Sequence, residues 1–223
     1  MLAERTAKIL ETAMQEFIRT GEPVSSAGLF ERYEFGIRPA MIRHELHELT
    51  ERGYFIQPYH SAGRLPSDKG FEFLVERILS EETPAGSGNR MFAHLFRSAR
   101  WDELLAHLAE ELGVLGILED MNEGRVYKEG LEDFVAHVEW DSPEELRDVI
   151  KDIAHIEDRM RAVRRAVRGE LTVFIGKRSP LTASGNLAVV ACEKEEGGAK
   201  VFLAAVGPKR MNYQKVIRIF QHL

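Results

Sequence analysis

The stretch Glu81-Glu82-Thr83-Pro84-Ala85-Gly86-Ser87-Gly88-Asn89-Arg90 most restricts how this chain can be built. It is polar, rich in small residues, and lacks the helical or strand period of an amphipathic element, so residues 81–90 read as a flexible linker. Two separately packed domains are expected, residues 1–80 and 91–223, each long enough to bury a core. With 44% hydrophobic and 30% charged residues, the chain is neither disordered nor collagen-like. No apolar run reaches the ~18 residues of a membrane span. Residues 1–10 lack the apolar core of a signal peptide, and Cys192, the single cysteine, cannot form an internal disulfide. A cytoplasmic protein with no membrane partner is therefore expected.

Residues 1–80 predict four helices and a hairpin. Ile9, Leu10, Ala13, Met14, Phe17 and Ile18 recur at helical spacing over Glu4 to Thr20, and Gly21 suits the left-handed end. Ser25 or Ser26 can cap a second helix through Leu29, Phe30 and Tyr33. Pro39 suits the first turn of a third, with Ile42, Leu46 and Leu49 as its buried stripe. Tyr54 to Ile56 form a short strand, Gln57 to Arg64 a loop, and Ser67 caps a fourth helix with Phe71, Leu74, Val75, Ile78 and Leu79 inward.

That order is the order of a winged helix-turn-helix, in which one helix braces the next against a DNA major groove and the hairpin loop reaches the backbone alongside. Turning the third helix by 100° per residue points Ala40, His44, His47 and Glu51 outward, with Met41, Arg43 and Glu48 on the flanks. Arg43 suits a guanine edge or a phosphate, Arg38 a phosphate, and the histidines base edges. Ser25 and Ser26 precede the bracing helix, and the wing supplies Tyr59, His60, Ser61, Gly63 and Arg64, with Lys69 beyond. The same helix surface also suits an ordinary solvated face. Residues 1–80 carry ten Lys and Arg against twelve Asp and Glu. A net charge of −2 leaves few phosphate contacts, so two copies would be needed for tight binding. His44-Glu45-Leu46-His47 is not a zinc-protease motif, because its histidines are three apart rather than four.

Residues 91–223 predict an α+β layer. Helices are expected around Phe92 to Phe96 and Leu104 to Leu108, with strands at Val114 to Leu118, Arg125 to Tyr127, Leu171 to Ile175, Leu187 to Ala191 and Val201 to Val206. A turn at Glu196-Gly197-Gly198 and a last helix with Tyr213, Val216, Ile217 and Phe220 inward complete it. One long helix is expected after Ser142 and Pro143, where Leu146, Val149, Ile153, Ile156, Met160, Val163 and Val167 alternate spacings of three and four. This heptad seam either packs on the domain's own sheet or forms a homodimer interface. Cys192 lies in an apolar strand, and His137 and His155 are scattered. With no triad, P-loop or dinucleotide fingerprint, no enzyme, cofactor or metal site is expected.

Several runs resemble the HrcA family of heat-inducible transcription repressors. They are Glu4-Arg5, Lys8-Ile9-Leu10, Thr20-Gly21-Glu22-Pro23-Val24-Ser25-Ser26 and Ala40-Met41-Ile42-Arg43. The longest is Gln57 to Gly70, which looks like the family's S-A-G-R-x-P-S/T-D-K-G run. Phe174-Ile175-Gly176, Gly207-Pro208-Lys209-Arg210-Met211-Asn212-Tyr213 and Val216-Ile217 match near the other end. The resemblance implies a homodimeric repressor of chaperone genes on an inverted-repeat operator, a GAF-like second domain, and dependence on the GroEL chaperonin. The chain departs from the family pattern at Ala27, Arg38, Pro39, Met41, His44 and His47, and it is shortened after Leu105, where the family's dimerising insertion belongs. A sensor taking a small ligand through the GAF-like domain, or a protein-interaction module without DNA binding, are the alternatives.

Overall fold

The computed structural model describes residues 2–59, 62–81, 90–167, 171–196 and 198–223. Expectations for His60, Ser61, most of the 81–90 linker and Gly197 lie outside the described residues. The chain divides into two compact units, Met1–Ser80 and Glu81–Leu223.

In the first unit, α1 (Glu4–Thr20) buries Ile9, Leu10, Ala13 and Met14 completely. It stops at Gly21, whose φ of 71° is the left-handed conformation that lets its N–H return to the Phe17 carbonyl at 2.8 Å. Ser25 caps α2 (Ser26–Arg32), its hydroxyl accepting from the Gly28 N–H at 3.0 Å. Pro39 opens α3 (Pro39–Glu51), whose Ile42, Leu46 and Leu49 complete the core. The strands β1 (Phe55–Ile56) and β2 (Leu65–Pro66) pair antiparallel. Ser67 then caps α4 (Asp68–Ser80), accepting from the Gly70 N–H at 3.2 Å.

Three expectations shift here. Tyr33 lies beyond the end of α2, and Phe30 is exposed. Leu79 is also exposed, because α4 buries only Gly70, Phe71, Leu74 and Val75 and its last turn runs past the core.

Two buried carboxylates tie these helices together. Glu45 of α3 accepts from Thr6 Oγ1 at 2.8 Å and from Arg5 Nη2 at 2.7 Å, both on α1. Glu16 of α1 takes a two-pronged bond from Arg19 (3.1 and 2.8 Å), the Tyr33 hydroxyl at 2.8 Å, and an ion pair with Arg32. Paired and hydrogen-bonded on all sides, neither charge carries the cost of an orphaned buried ion.

In the second unit, α5 (Arg90–Arg97) and α6 (Trp101–Leu112) precede β3 (Leu115–Asp120) and β4 (Arg125–Glu129). There follow α7 (Leu131–His137), α8 (Pro143–Ala154), α9 (Ile156–Ala166), β5 (Thr172–Ile175), β6 (Leu187–Glu196), β7 (Ala199–Pro208) and α10 (Tyr213–Gln221). The five strands form one antiparallel sheet in the order β4-β3-β7-β6-β5. The ten-residue partners β6 and β7 form its spine.

The single long helix expected after Ser142 is instead two, α8 and α9, interrupted at His155 (φ −108°, ψ 32°). The seam packs on the unit's own sheet. Val149, Ile153, Ile156, Met160 and Val163 are buried in one cluster with Ile117, Val189, Ala191, Phe202 and Ala204 of the unit's own sheet. Val167 packs against that cluster, and Leu146 is half-buried. A sheet face this apolar must be covered by something, and the seam covers it from within the chain. The helix α7 was not anticipated, since seven residues carrying one fully buried side chain, Phe134, make too short a periodic signal.

Candidate nucleic-acid interface

The helix α3 has one face committed to the core and another left to solvent. Ile42, Glu45, Leu46 and Leu49 face inward. Arg38, Ala40, Met41, Arg43, His44 and His47 are all exposed, as the 100° turn per residue requires. Neither a side-chain cap nor an acidic residue occupies the first turn, so the positive end of the helix dipole is uncompensated beside the Arg38 cation.

Arg64 is the best-defined cation beside this face. Its backbone bonds both ways with Val24, N–H to carbonyl at 2.8 Å and carbonyl to N–H at 2.9 Å. Its Nε donates to Thr50 Oγ1 of α3 at 3.0 Å. The guanidinium, expected at the tip of a solvent-facing loop, thus lies against α3 with only 9% of the residue exposed. Thr50 is seven residues beyond Arg43, on the same side of the helix, so Arg64 and Arg43 share one flank. Burial lowers the Arg64 pKa, and the neighbouring positive charge of Arg43 lowers it further. Among the described residues no carboxylate pairs with either arginine. A largely buried cation beside a second cation, with no counter-ion, is costly unless an anion arrives.

The remaining expected contacts divide. Tyr59 is 68% exposed, near the described end of the loop. Gly63 is there for space, since a Cβ on it would sit 2.8 Å from the Pro23 carbonyl oxygen. Ser25 is occupied as the α2 cap, with Ser26 in the first turn behind it. Lys69 is exposed; its ammonium donates to the Arg52 carbonyl at the end of α3, at 2.7 Å, and lies 4.5 Å from the centre of the Tyr54 ring. A cation at the negative end of α3 is more favourable there than free in solvent. Thr50 was missed in the sequence. Its position in line with Arg43 was visible, but nothing indicated that a residue fourteen positions on would bind it.

In the second unit, Cys192 is fully buried, and burial pushes its thiol up to about 12. His137 and His155 engage the carbonyls of Asp133 and Lys151, one turn back in each case. Among the described residues no group of three or more His, Cys, Asp or Glu side chains is placed to hold a metal ion, and no helix is long and apolar enough to cross a membrane. A groove of about 650 Å³ opens between β4, α7 and α8, lined by Lys128, Leu131, Asp133, Ile150 and Ile153 among others.

Taken together, the elements define a mixed α+β protein: a helical unit with a short hairpin, then a five-stranded antiparallel sheet covered by helices. The chain belongs to the HrcA family: residues 79–217 match the model of the HrcA protein C-terminal domain. It is similar to the heat-inducible transcription repressor HrcA of Alkaliphilus metalliredigens, 48% identical over 81 residues that cover 36% of this chain and 24% of the relative. The HrcA of Thermobifida fusca is 36% identical over 124 residues, covering 52% of this chain and 36% of the relative. The matched part thus spans about a quarter to a third of these relatives' length. Among solved structures, a hypothetical protein superposes with a TM-score of 0.79 at 20% identity, over 100% of this chain and 96% of the other, a likeness of fold.

Proposed function

We propose that this chain is a transcription repressor of heat-shock and chaperone genes that binds an inverted-repeat DNA operator as two copies. Residues 1–80 act as a winged helix-turn-helix: α3 enters the major groove, α2 braces it, and the β1–β2 hairpin is the wing. The unpaired arginines Arg43 and Arg64 on one flank of α3 carry the reading, since a phosphodiester oxygen is the anion such a flank lacks. Ala40, His44 and His47 face the base edges. The second unit is a GAF-like regulatory domain. Its self-association uses a surface other than the α8–α9 seam, which its own sheet occupies. Heat acts by loosening this unit and separating the two DNA heads, which forfeits an effective-concentration gain of up to ~10²–10⁴-fold. The GroEL chaperonin is the partner that the family resemblance adds.

The test is selection of bound sequences from random duplexes at a stated salt concentration. An enriched inverted repeat is expected, bound far more weakly once Arg43 and Arg64 are both alanine. Recovery of unenriched duplexes, or unaltered binding by the double variant, defeats the reading. The groove of about 650 Å³ favours one other reading, a ligand sensor. A metabolite that raises the melting temperature of the full chain without DNA would support it.

A further inference from the structure

The two flanks of α3 differ in chemistry. At 100° per residue, Arg43 and Thr50 lie on one side of the outward face and Met41 on the other, where Glu48 follows two turns on, paired with Arg52; Ala40, His44, His47 and Glu51 lie between them. Met41 is 42% exposed, and no other large apolar side chain of α3 is left in water. It stands at the third position of the helix, beside the small Ala40 and the ring of Pro39. Beside the Arg38 cation, the first turn of α3 therefore presents a compact apolar patch made by Pro39, Ala40 and Met41.

A helix that enters the major groove brings its first turn closest to the base edges. The one apolar group that B-DNA displays there is the 5-methyl of thymine. Helix phase puts Arg43 on the opposite flank with Arg64, where a phosphate would suit both cations. The flank of Met41 is left to read a base by apolar contact.

We infer that Met41, backed by Ala40, is a specificity-determining residue that contacts a thymine 5-methyl group in each operator half-site. This rests on the reading of α3 as the groove-entering helix. Burying one methyl corresponds to roughly four-fold in affinity.

The experiment uses the full chain and the duplex recovered by selection. Each thymine is replaced singly by uracil, which removes the methyl and leaves the pairing intact. Wild-type protein should lose about four-fold in affinity at one thymine per half-site and almost nothing elsewhere. Met41→Ser should be indifferent to uracil at that position, and Met41→Leu should recover the sensitivity. An unchanged melting temperature for both variants shows that neither effect comes from unfolding.

Uracil tolerated at every position, or equal sensitivity in wild type and Met41→Ser, overturns the inference while leaving DNA binding intact. If selection enriches no duplex at all, the groove-helix reading itself fails and the role of Met41 falls with it.

Discussion

Arg64 Nε donates to Thr50 Oγ1 at 3.0 Å, a bond that holds a hairpin guanidinium against the flank of α3 that also carries Arg43. The backbone of Arg64 is fixed independently by its bridge to Val24, so the side chain starts from a rigid base. Two chain segments far apart in sequence thus position one cation before any ligand arrives. Preorganisation of this kind lowers the entropy cost of binding.

Replacing Arg64 by alanine should weaken binding about equally across duplex sequences and reduce the slope of log affinity against log salt by about one. Thr50→Val keeps the charge but frees the guanidinium, so it should lower affinity while leaving the salt slope as it was. Titrations at four or more salt concentrations separate the two. Equal slopes for wild type and Arg64→Ala would mean that Arg64 touches no phosphate.

Glu16 is a pH-sensitive tie within the first unit. The hydrogen bonds from Arg19 hold its pKa down, those from Tyr33 and Arg32 add to this against the opposing effect of burial, and the pKa falls from 4.5 to about 2. A carboxylate depressed in the folded state contributes stability above its unfolded pKa and loses it as pH falls through the folded value. The contribution is complete above about pH 4.5 and disappears towards pH 2. Glu16→Gln should cost roughly 1–3 kcal/mol at neutral pH, because three donors lose their charged acceptor. Its stability should also fall less steeply between pH 4.5 and 2 than that of the wild type, as followed by denaturant titration.

Ile156 is completely buried beneath the sheet of the second unit. Ile156→Ala should destabilise that unit by about 2–5 kcal/mol without changing the sedimentation coefficient of the folded protein. A variant that melts like the wild type but shifts towards smaller species would restore the seam as an interface between copies.

The thiol of Cys192 is buried in β6 with its pKa pushed up to about 12 by that burial. Because the thiolate is the reactive form, a thiol reagent should label it at pH 8 only as fast as the second unit opens. Labelling rates should rise in step with denaturant-induced unfolding. Rapid labelling of the native protein at pH 8 would contradict the burial.

Periodicity carried most of the secondary structure. The limits of α1, the opening of α3 at Pro39, and the inward set Ile42, Leu46 and Leu49 follow from local residue preferences and from which side chains water rejects. Such information lies within one or two helical turns of each residue, so a linear reading can recover it. Three matters turned on contacts between distant segments. The seam from Val149 to Val163 has the same pattern whether its partner is another chain or its own sheet, and only the fold brings the apolar faces of β3, β6 and β7 against it. Arg64 looked like a free loop cation until Thr50 and Val24 drew it inward. Lys69 finds an acceptor in the Arg52 carbonyl, seventeen residues back at the end of α3. A side chain's partner is set by where the backbone brings other groups, and a spacing along one segment holds no record of that.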